Sequence, residues 1–252
     1  MDNLEYFELV DIDSVSFNET LVNMYDISVV DDESFMLSNS LISHNSALSG
    51  VLSGRDTKLH AAFPLKGKPI NVYDMDLKDV VQNAEFKNLL TILGLQLGVS
   101  VNSVNDVRFG RIILTTDQDL DGYSIRSLLL NMFHKFWPEL FKLKMIYILN
   151  TPIVKVTLKK ETINFYSIEQ FNEWKQHHLN DKFSFKYYKG LGTSSSQEWR
   201  EYFHPSFMQD NLMMVDPDDK DNSELFRLMF SKEKGMTNKR KDWLDLSVKG
   251  DI

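Results

Sequence analysis

Residues 110–122 read GRIILTTDQDLDG, and the class of structure follows from them and their flanks. GRIILTT (110–116) is a short β-branched run with a turn after it, which is the pattern of a buried strand. Directly behind it, residues 122–141 (GYSIRSLLLNMFHKFWPELF) put Ile125, Leu128, Leu129, Met132, Phe133, Phe136, Trp137 and Leu140 at helical spacing. That is one wide apolar stripe, suited to a core. MIYILNTPIVKV (145–156) reads as strand again, and LKDVVQNAEFKNLLTIL (77–93) reads as another helix. Strand, carboxylate loop, helix, strand is a parallel-sheet unit of an α/β fold, and ligands gather where such strands end.

The carboxylates sit at that place. Asp117, Asp119 and Asp121 follow the strand at alternate positions. A like-charged pair at ~4 Å costs about 4 kcal/mol at an effective dielectric near 20, so something must offset the repulsion. A hard divalent cation is the simplest candidate, and Mg²⁺ suits a few carboxylates plus phosphate. Two other readings are a solvated Asp-rich turn and a calcium loop, whose D-x-D-x-D-G opening DQDLDG satisfies. The calcium pattern needs Glu at its twelfth position, where this chain has Leu128, and a helix rather than a strand before it.

Two further stretches are basic and carry glycine. FPLKGKPINV (63–72) offers Lys66 and Lys68 around Gly67. YYKGLGTSSSQEWREYF (187–203) offers Lys189 between aromatics and two glycines, then a hydroxyl run opening a helix. Lysines beside a closely approaching backbone suit phosphate contact, and either stretch by itself is also an ordinary solvated loop.

The chain of 252 residues has room for one large domain or two modest ones, and 42% apolar residues suffice for a core. With no cysteine there is neither a disulfide framework nor a thiolate zinc site, which fits a reducing cytoplasm. The acidic MDNLEYFELV start has no signal-peptide pattern, and no apolar run is long enough to span a membrane. The net charge of −8 conceals an asymmetry. Ten of the 36 acidic residues and none of the 28 Lys or Arg lie in residues 1–45, which leaves 26 acidic against 28 basic beyond them. Such a break argues for two modules with different partners, and the acidic one should be steered toward a basic partner.

The break falls at SHNSALSG (43–50). Upstream, LVNMYDISVV and SFMLSNSLIS are short and strand-like, divided by polar turns. An Asn side-chain amide can attack its own carbonyl and cleave the chain as a succinimide. A neighbouring imidazole can assist as a general acid–base group, and a following hydroxyl can accept an acyl group. His44, Asn45 and Ser46 therefore form a possible acyl-transfer and cleavage site, or a plain polar loop.

MYDISVVDDESFMLSNSLISHN (24–45) resembles the C-terminal end of inteins, with Tyr25, Asp26, Ile27, Val29, Asp32, Phe35, Asn39, Ile42, His44 and Asn45 at matching positions. It departs at Glu33, where many relatives carry His. The resemblance implies that Ser46 takes the acyl group, Asn45 cyclises, His44 assists and Asp32 supports the acid–base steps. With Met1 close upstream, the segment looks like the C-terminal half of a split intein, its other half on another polypeptide.

From Ser46 to about Leu244, the ordered series GRD, FPLKGK, INV, NAEFKNLL, LGLQ, TTDQDLDG, NTPIVKV, FYS, EW and YYKGLGTSSSQEWREYF resembles the TOPRIM-containing cleavage segment of type IIA DNA topoisomerases. The wording is closer to eukaryotic and T-even-phage versions than to bacterial gyrase B. The resemblance implies an Mg²⁺ site at Asp117, Asp119 and Asp121, with Asp117 catalytic in DNA cleavage and Lys66, Lys68 and Lys189 lining the DNA. The attacking tyrosine would come from a separate winged-helix subunit, and ATP would be bound by a separate ATPase module. The family's Glu-Gly-Asp-Ser-Ala motif is present only as Ser46-Ala47. Glu-Gly-Asp would then end the partner chain that carries the intein N-half, and splicing would rebuild the motif.

The expected architecture is thus a TOPRIM Rossmann-like parallel sheet preceded by a short all-β intein (HINT-fold) fragment. Its divisions would be 1–45 (intein fragment), 46–150 (TOPRIM core) and 151–252 (the C-terminal extension with the YKGLGTS motif). The expected location is the cytoplasm, that of the host cell if phage-encoded. Should the first segment be inert, the module would act as a non-covalently assembled subunit or a DNA-binding scaffold.

Overall fold

The computed structural model describes residues 34–36, 42–44, 46–216 and 222–249. Strands β1 (Ser34–Met36) and β2 (Ile42–His44) pair antiparallel, with Ser34 opposite His44. Asp32 and Asn45 lie outside the described residues, as do the side chains of His44 and Ser46.

Helix α1 (Ser46–Gly54) opens the continuous part of the structure. The expected helix over 77–93 is two: α2 (Leu77–Val80) and α3 (Ala84–Leu93). The break comes from Asn83, whose extended backbone lets its side chain accept from the Phe86 amide and cap α3. Gly94, in the left-handed region at φ 77°, ends α3.

Strand β3 (Ile112–Leu114) runs into α4 (Leu120–Phe136), then α5 (Glu139–Lys142) and β4 (Ile146–Leu149). Asp119 caps α4 by accepting from the Gly122 amide at 2.7 Å. The helix stops before Pro138, which forces the preceding Trp137 out of helical geometry, so the expected single helix through 141 is split. Leu129, Met132, Phe133, Trp137 and Leu140 of the expected stripe are buried in the main core with Phe86, Leu90, Ile112 and Leu114. Ile125 and Phe136 pack on its margin, whereas Leu128 is half-buried outside it.

The parallel expectation holds for one pair, β3 with β4, joined by the α4 crossover. The third strand, β8 (Leu212–Met214), pairs antiparallel with the other side of β4, so the sheet is mixed. The expected strand over 145–156 is also two. β4 ends at Leu149, and β5 (Val154–Leu158) begins a second sheet beyond Pro152. There β5 lies between β6 (Glu161–Phe165) and β7 (Phe183–Tyr187), all antiparallel. Helix α6 (Ile168–His177) covers one face through Phe171 and Trp174, over Val154, Val156 and Phe165. After β7 come α7 (Ser196–Tyr202) and α8 (Pro205–Asn211), then β8 and the terminal helices α9 (Asn222–Phe230) and α10 (Met236–Lys249).

Among the described residues no helix is long and apolar enough to cross a membrane.

Candidate active site

The three aspartates follow β3 and enter α4, where the sheet places its carboxyl ends. Their local geometry leaves little freedom. A Cβ on Gly122 would fall 2.0 Å from the Asp117 carbonyl oxygen, so only glycine lets the chain fold back over Asp117 at that point.

Each carboxylate has a different partner. Asp117, half-buried, accepts from the Leu191 amide through Oδ1 at 2.7 Å, a bond between residues 74 positions apart. Asp119, exposed, caps α4. Asp121, exposed, pairs with Lys68 Nζ at 2.7 Å. The repulsion anticipated for three neighbouring carboxylates is therefore offset by two backbone amides and one ammonium group. Among the described residues no three His, Cys, Asp or Glu side chains converge as a metal site. The donor chemistry, carboxylate oxygens at a strand's end, fits a hard cation such as Mg²⁺. In position the set is incomplete.

Both basic stretches reach these aspartates. The FPLKGK loop delivers Lys68 to Asp121, while the Lys66 backbone amide donates to Glu85 at the start of α3. The KGLGTS loop delivers Leu191 to Asp117 and leaves the Lys189 side chain exposed. Gly190 is extended there, a conformation open to any residue. Space is what restricts it, because a Cβ would lie 2.7 Å from Asp117 Oδ2 and 3.0 Å from its Cγ. The close approach read from the sequence as phosphate contact is, within the chain, contact with a carboxylate.

Sequence reasoning missed what fixes this loop. Lys155 of β5 and Lys186 of β7 are directly paired across the second sheet, which sets two positive charges side by side. Glu198 of α7 answers both, at 3.5 Å from Lys155 Nζ and 2.8 Å from Lys186 Nζ. It also accepts from the Tyr188 hydroxyl and, at 2.8 Å, from the Ser195 amide. One carboxylate thus ties together the residues on either side of Lys189–Ser194. Burial pushes the Glu198 carboxyl up, but the bonds from Lys186, Tyr188 and the Ser195 amide, with the Lys155 charge, outweigh it and bring it to about 2. Burial, reinforced by the bond to Glu198, raises the Tyr188 hydroxyl well above the usual phenol range. The available signal was the Ser195-x-x-Glu198 spacing of a capping box, which α7 does form.

Beside the aspartates, Arg126 of α4 donates to the Thr116 hydroxyl at 3.1 Å, and burial lowers its guanidinium from the ordinary value. A separate cleft of about 730 Å³ between β6, α7 and α8 is lined by Tyr166, Arg200, His204 and Asp210, with none of the three aspartates in its wall.

Residues 149–252 match the family model described as the C-terminal associated domain of TOPRIM. The chain is 43% identical over 203 residues to DNA topoisomerase 2 of Bombyx mori, which takes in 79% of this chain and 13% of that protein. It is 40% identical over 203 residues to DNA topoisomerase 2-beta of Homo sapiens, covering 79% of this chain and 12% of the relative. The crystal structure of the Plasmodium falciparum topoisomerase II DNA-binding, cleavage and re-ligation domain superposes with a TM-score of 0.69 at 35% identity, over 79% of this chain and 28% of that one. The chain therefore spans about an eighth of the length of these curated relatives.

Proposed function

Because the chain is strongly homologous to type II DNA topoisomerases, with a TOPRIM C-terminal associated domain in its second half, we propose that it supplies the TOPRIM part of such an enzyme's DNA-cleavage centre. The supporting observation is that three stretches far apart in sequence meet at the end of β3. Lys68 comes from the FPLKGK loop, the aspartates from the DQDLDG turn, and Gly190 and Leu191 from the KGLGTS loop.

In this reading a tyrosine from a separate winged-helix subunit attacks a DNA phosphodiester. A tyrosyl–phosphorus bond forms as the bond to the leaving sugar oxygen breaks, and religation reverses both changes. Lys66, Lys68 and Lys189 hold neighbouring phosphates. Lys68 exchanges its exposed Asp121 partner for a phosphate oxygen at little cost, since exposed ion pairs contribute about 1 kcal/mol or less. Asp117, Asp119 and Asp121 would hold Mg²⁺, which supplies charge stabilisation at the attacked phosphate and the leaving oxygen. The missing donor is the Glu of a Glu-Gly-Asp segment on a partner chain, which also carries the ATPase module. The whole works in the cytoplasm, that of the host cell if the chain is phage-encoded.

The first segment fits that scheme as a protein-splicing element. Residues 1–45 act as a split-intein C-terminal fragment. Asp32 and His44 assist, Asn45 cyclises, and Ser46 accepts the acyl group, so ligation restores Glu-Gly-Asp ahead of Ser46-Ala47. The residue divisions 46–150 and 151–252 then describe the TOPRIM core and its extension.

Co-expression with the partner chain tests the proposal. Mass spectrometry should find a peptide joining partner sequence to Ser46, and a released 1–45 fragment ending in succinimide. Ser46→Ala should abolish ligation, and a joined product in that variant rules out Ser46 as the acceptor. Asp119→Asn should remove Mg²⁺-dependent DNA cleavage by the assembled enzyme while ligation continues; full cleavage by that variant removes Asp119 from the centre.

A further inference from the structure

We infer that Gly190 and Glu198 are positioning residues for Asp117, neither touching the substrate, and that together they make the KGLGTS loop a clasp on that carboxylate. The inference rests on the assignment of Asp117 to the cleavage centre, and it names what orients it.

Asp117 is gripped on two sides. Its Oδ1 takes the Leu191 amide at 2.7 Å, and its Oδ2 lies over the Cα face of Gly190, 2.7 Å from where a Cβ would stand. A side chain at 190 must push the carboxylate away or lift the loop off it. The loop in turn is tied at its base. Tyr188 is buried, its amide donates to the Ile153 carbonyl at 2.8 Å, and its hydroxyl donates to Glu198. On the far side the Ser195 amide donates to the same Glu198 carboxylate at 2.8 Å, and Ser194 is buried. Glu198 is held by Lys155 and Lys186, which the register of the second sheet places together. The line of contact runs from the second sheet through Glu198 to the loop, and from the loop to Asp117 in the turn after β3. The second sheet thereby sets which face of Asp117 is available to a cation or a phosphate.

Hydrogen exchange at the Leu191 amide in the full chain reads the clasp directly. Gly190→Ala and Glu198→Ala should each speed that exchange by on the order of tenfold, the size expected when a hydrogen bond to a charged group is lost. Amides in α4 and β4 should keep their rates. Glu198→Gln, which retains a neutral acceptor for the Ser195 amide, should fall between wild type and Glu198→Ala. Wild-type exchange at Leu191 in folded Gly190→Ala and Glu198→Gln proteins overturns the inference, even if Glu198→Ala fails to fold. Titration with Mn²⁺, followed by the electron paramagnetic resonance of the free ion, separates the two levels. An assembled wild-type enzyme, with the partner's Glu-Gly-Asp joined to Ser46, that binds no Mn²⁺ counts against the cation reading, while the Leu191 result still decides the clasp. If Mn²⁺ binds, Gly190→Ala should shift its dissociation constant, and an unchanged constant counts against a positioning role.

Discussion

Gly54 meets Trp199 so closely that the Cβ an alanine would add falls 2.4 Å from the Trp199 Cβ and 2.9 Å from its carbonyl carbon. Gly50, one turn earlier on α1, meets the edge of the same indole. Ser53 bridges the two helices with a 2.6 Å bond to Ser196. The helix that begins at Ser46 is thus seated on α7 by the close approach of its glycine backbone to Trp199 and by the Ser53–Ser196 hydroxyl bond.

That seating predicts the outcome of Gly54→Ala. Helix propensity alone favours alanine by about 1 kcal/mol. Forcing a methyl into a filled contact costs about 1–3 kcal/mol, and here the neighbours are a Cβ and backbone atoms that cannot swing away. Urea denaturation should show net destabilisation, and exchange should rise across 46–54. Stabilisation by this substitution would contradict the contact.

Asp119 has two duties that two variants separate. Asn caps a helix about as well as Asp, whereas Ala costs about 1 kcal/mol of cap energy. Asp119→Asn should therefore melt like the wild type, and Asp119→Ala should melt lower. If both abolish DNA cleavage in the assembled enzyme, the carboxylate charge rather than the cap is what cleavage requires.

Glu198 should make stability fall in acid. Its folded-state carboxyl lies at about 2, below the ordinary value of 4.5, so its contribution is complete above that ordinary value and is lost as pH falls toward 2. The linked change is at most about 3 kcal/mol. Chemical denaturation between pH 5 and pH 2.5 should show a decline that Glu198→Gln flattens. An equal decline in both proteins would place the acid sensitivity elsewhere.

His134 should add a second, milder dependence. It stacks on Phe226 at 4.3 Å between ring centroids, and burial lowers its imidazole from the ordinary 6.5. The neutral form is the one that fits, so its stabilisation is present above 6.5 and declines as pH drops toward the lowered value. His134→Phe should remove this component from denaturation curves collected between pH 7 and pH 5. A pH slope unchanged by the substitution would show that His134 does not contribute it.

The strand-turn-helix unit and most of its core stripe were legible because periodicity is local: Leu129, Met132, Phe133, Trp137 and Leu140 fall inward as their spacing requires. The breaks at Asn83 and Pro138 were also written locally, as a cap and an imino acid, but were overridden by the apolar pattern running through them. The candidate site was legible as a set of motifs, not as an arrangement. Nothing near Asp117 in the chain announces Leu191, and nothing near Glu198 announces Lys155, because those pairs depend on sheet register and loop closure. The glycines of KGLGTS were recognised as close-approach residues, while what approaches them came only from the folded chain.

Strand β8 carries a last consequence. It comes from the second half of the chain yet forms the flank of β4 in the first sheet, with Leu149 opposite Leu212. A polypeptide stopped at residue 150 would leave that flank bare, and an unprotected strand edge invites other molecules to stick to it. The first half of the chain therefore needs β8 seated on that edge if the product is to stay dispersed.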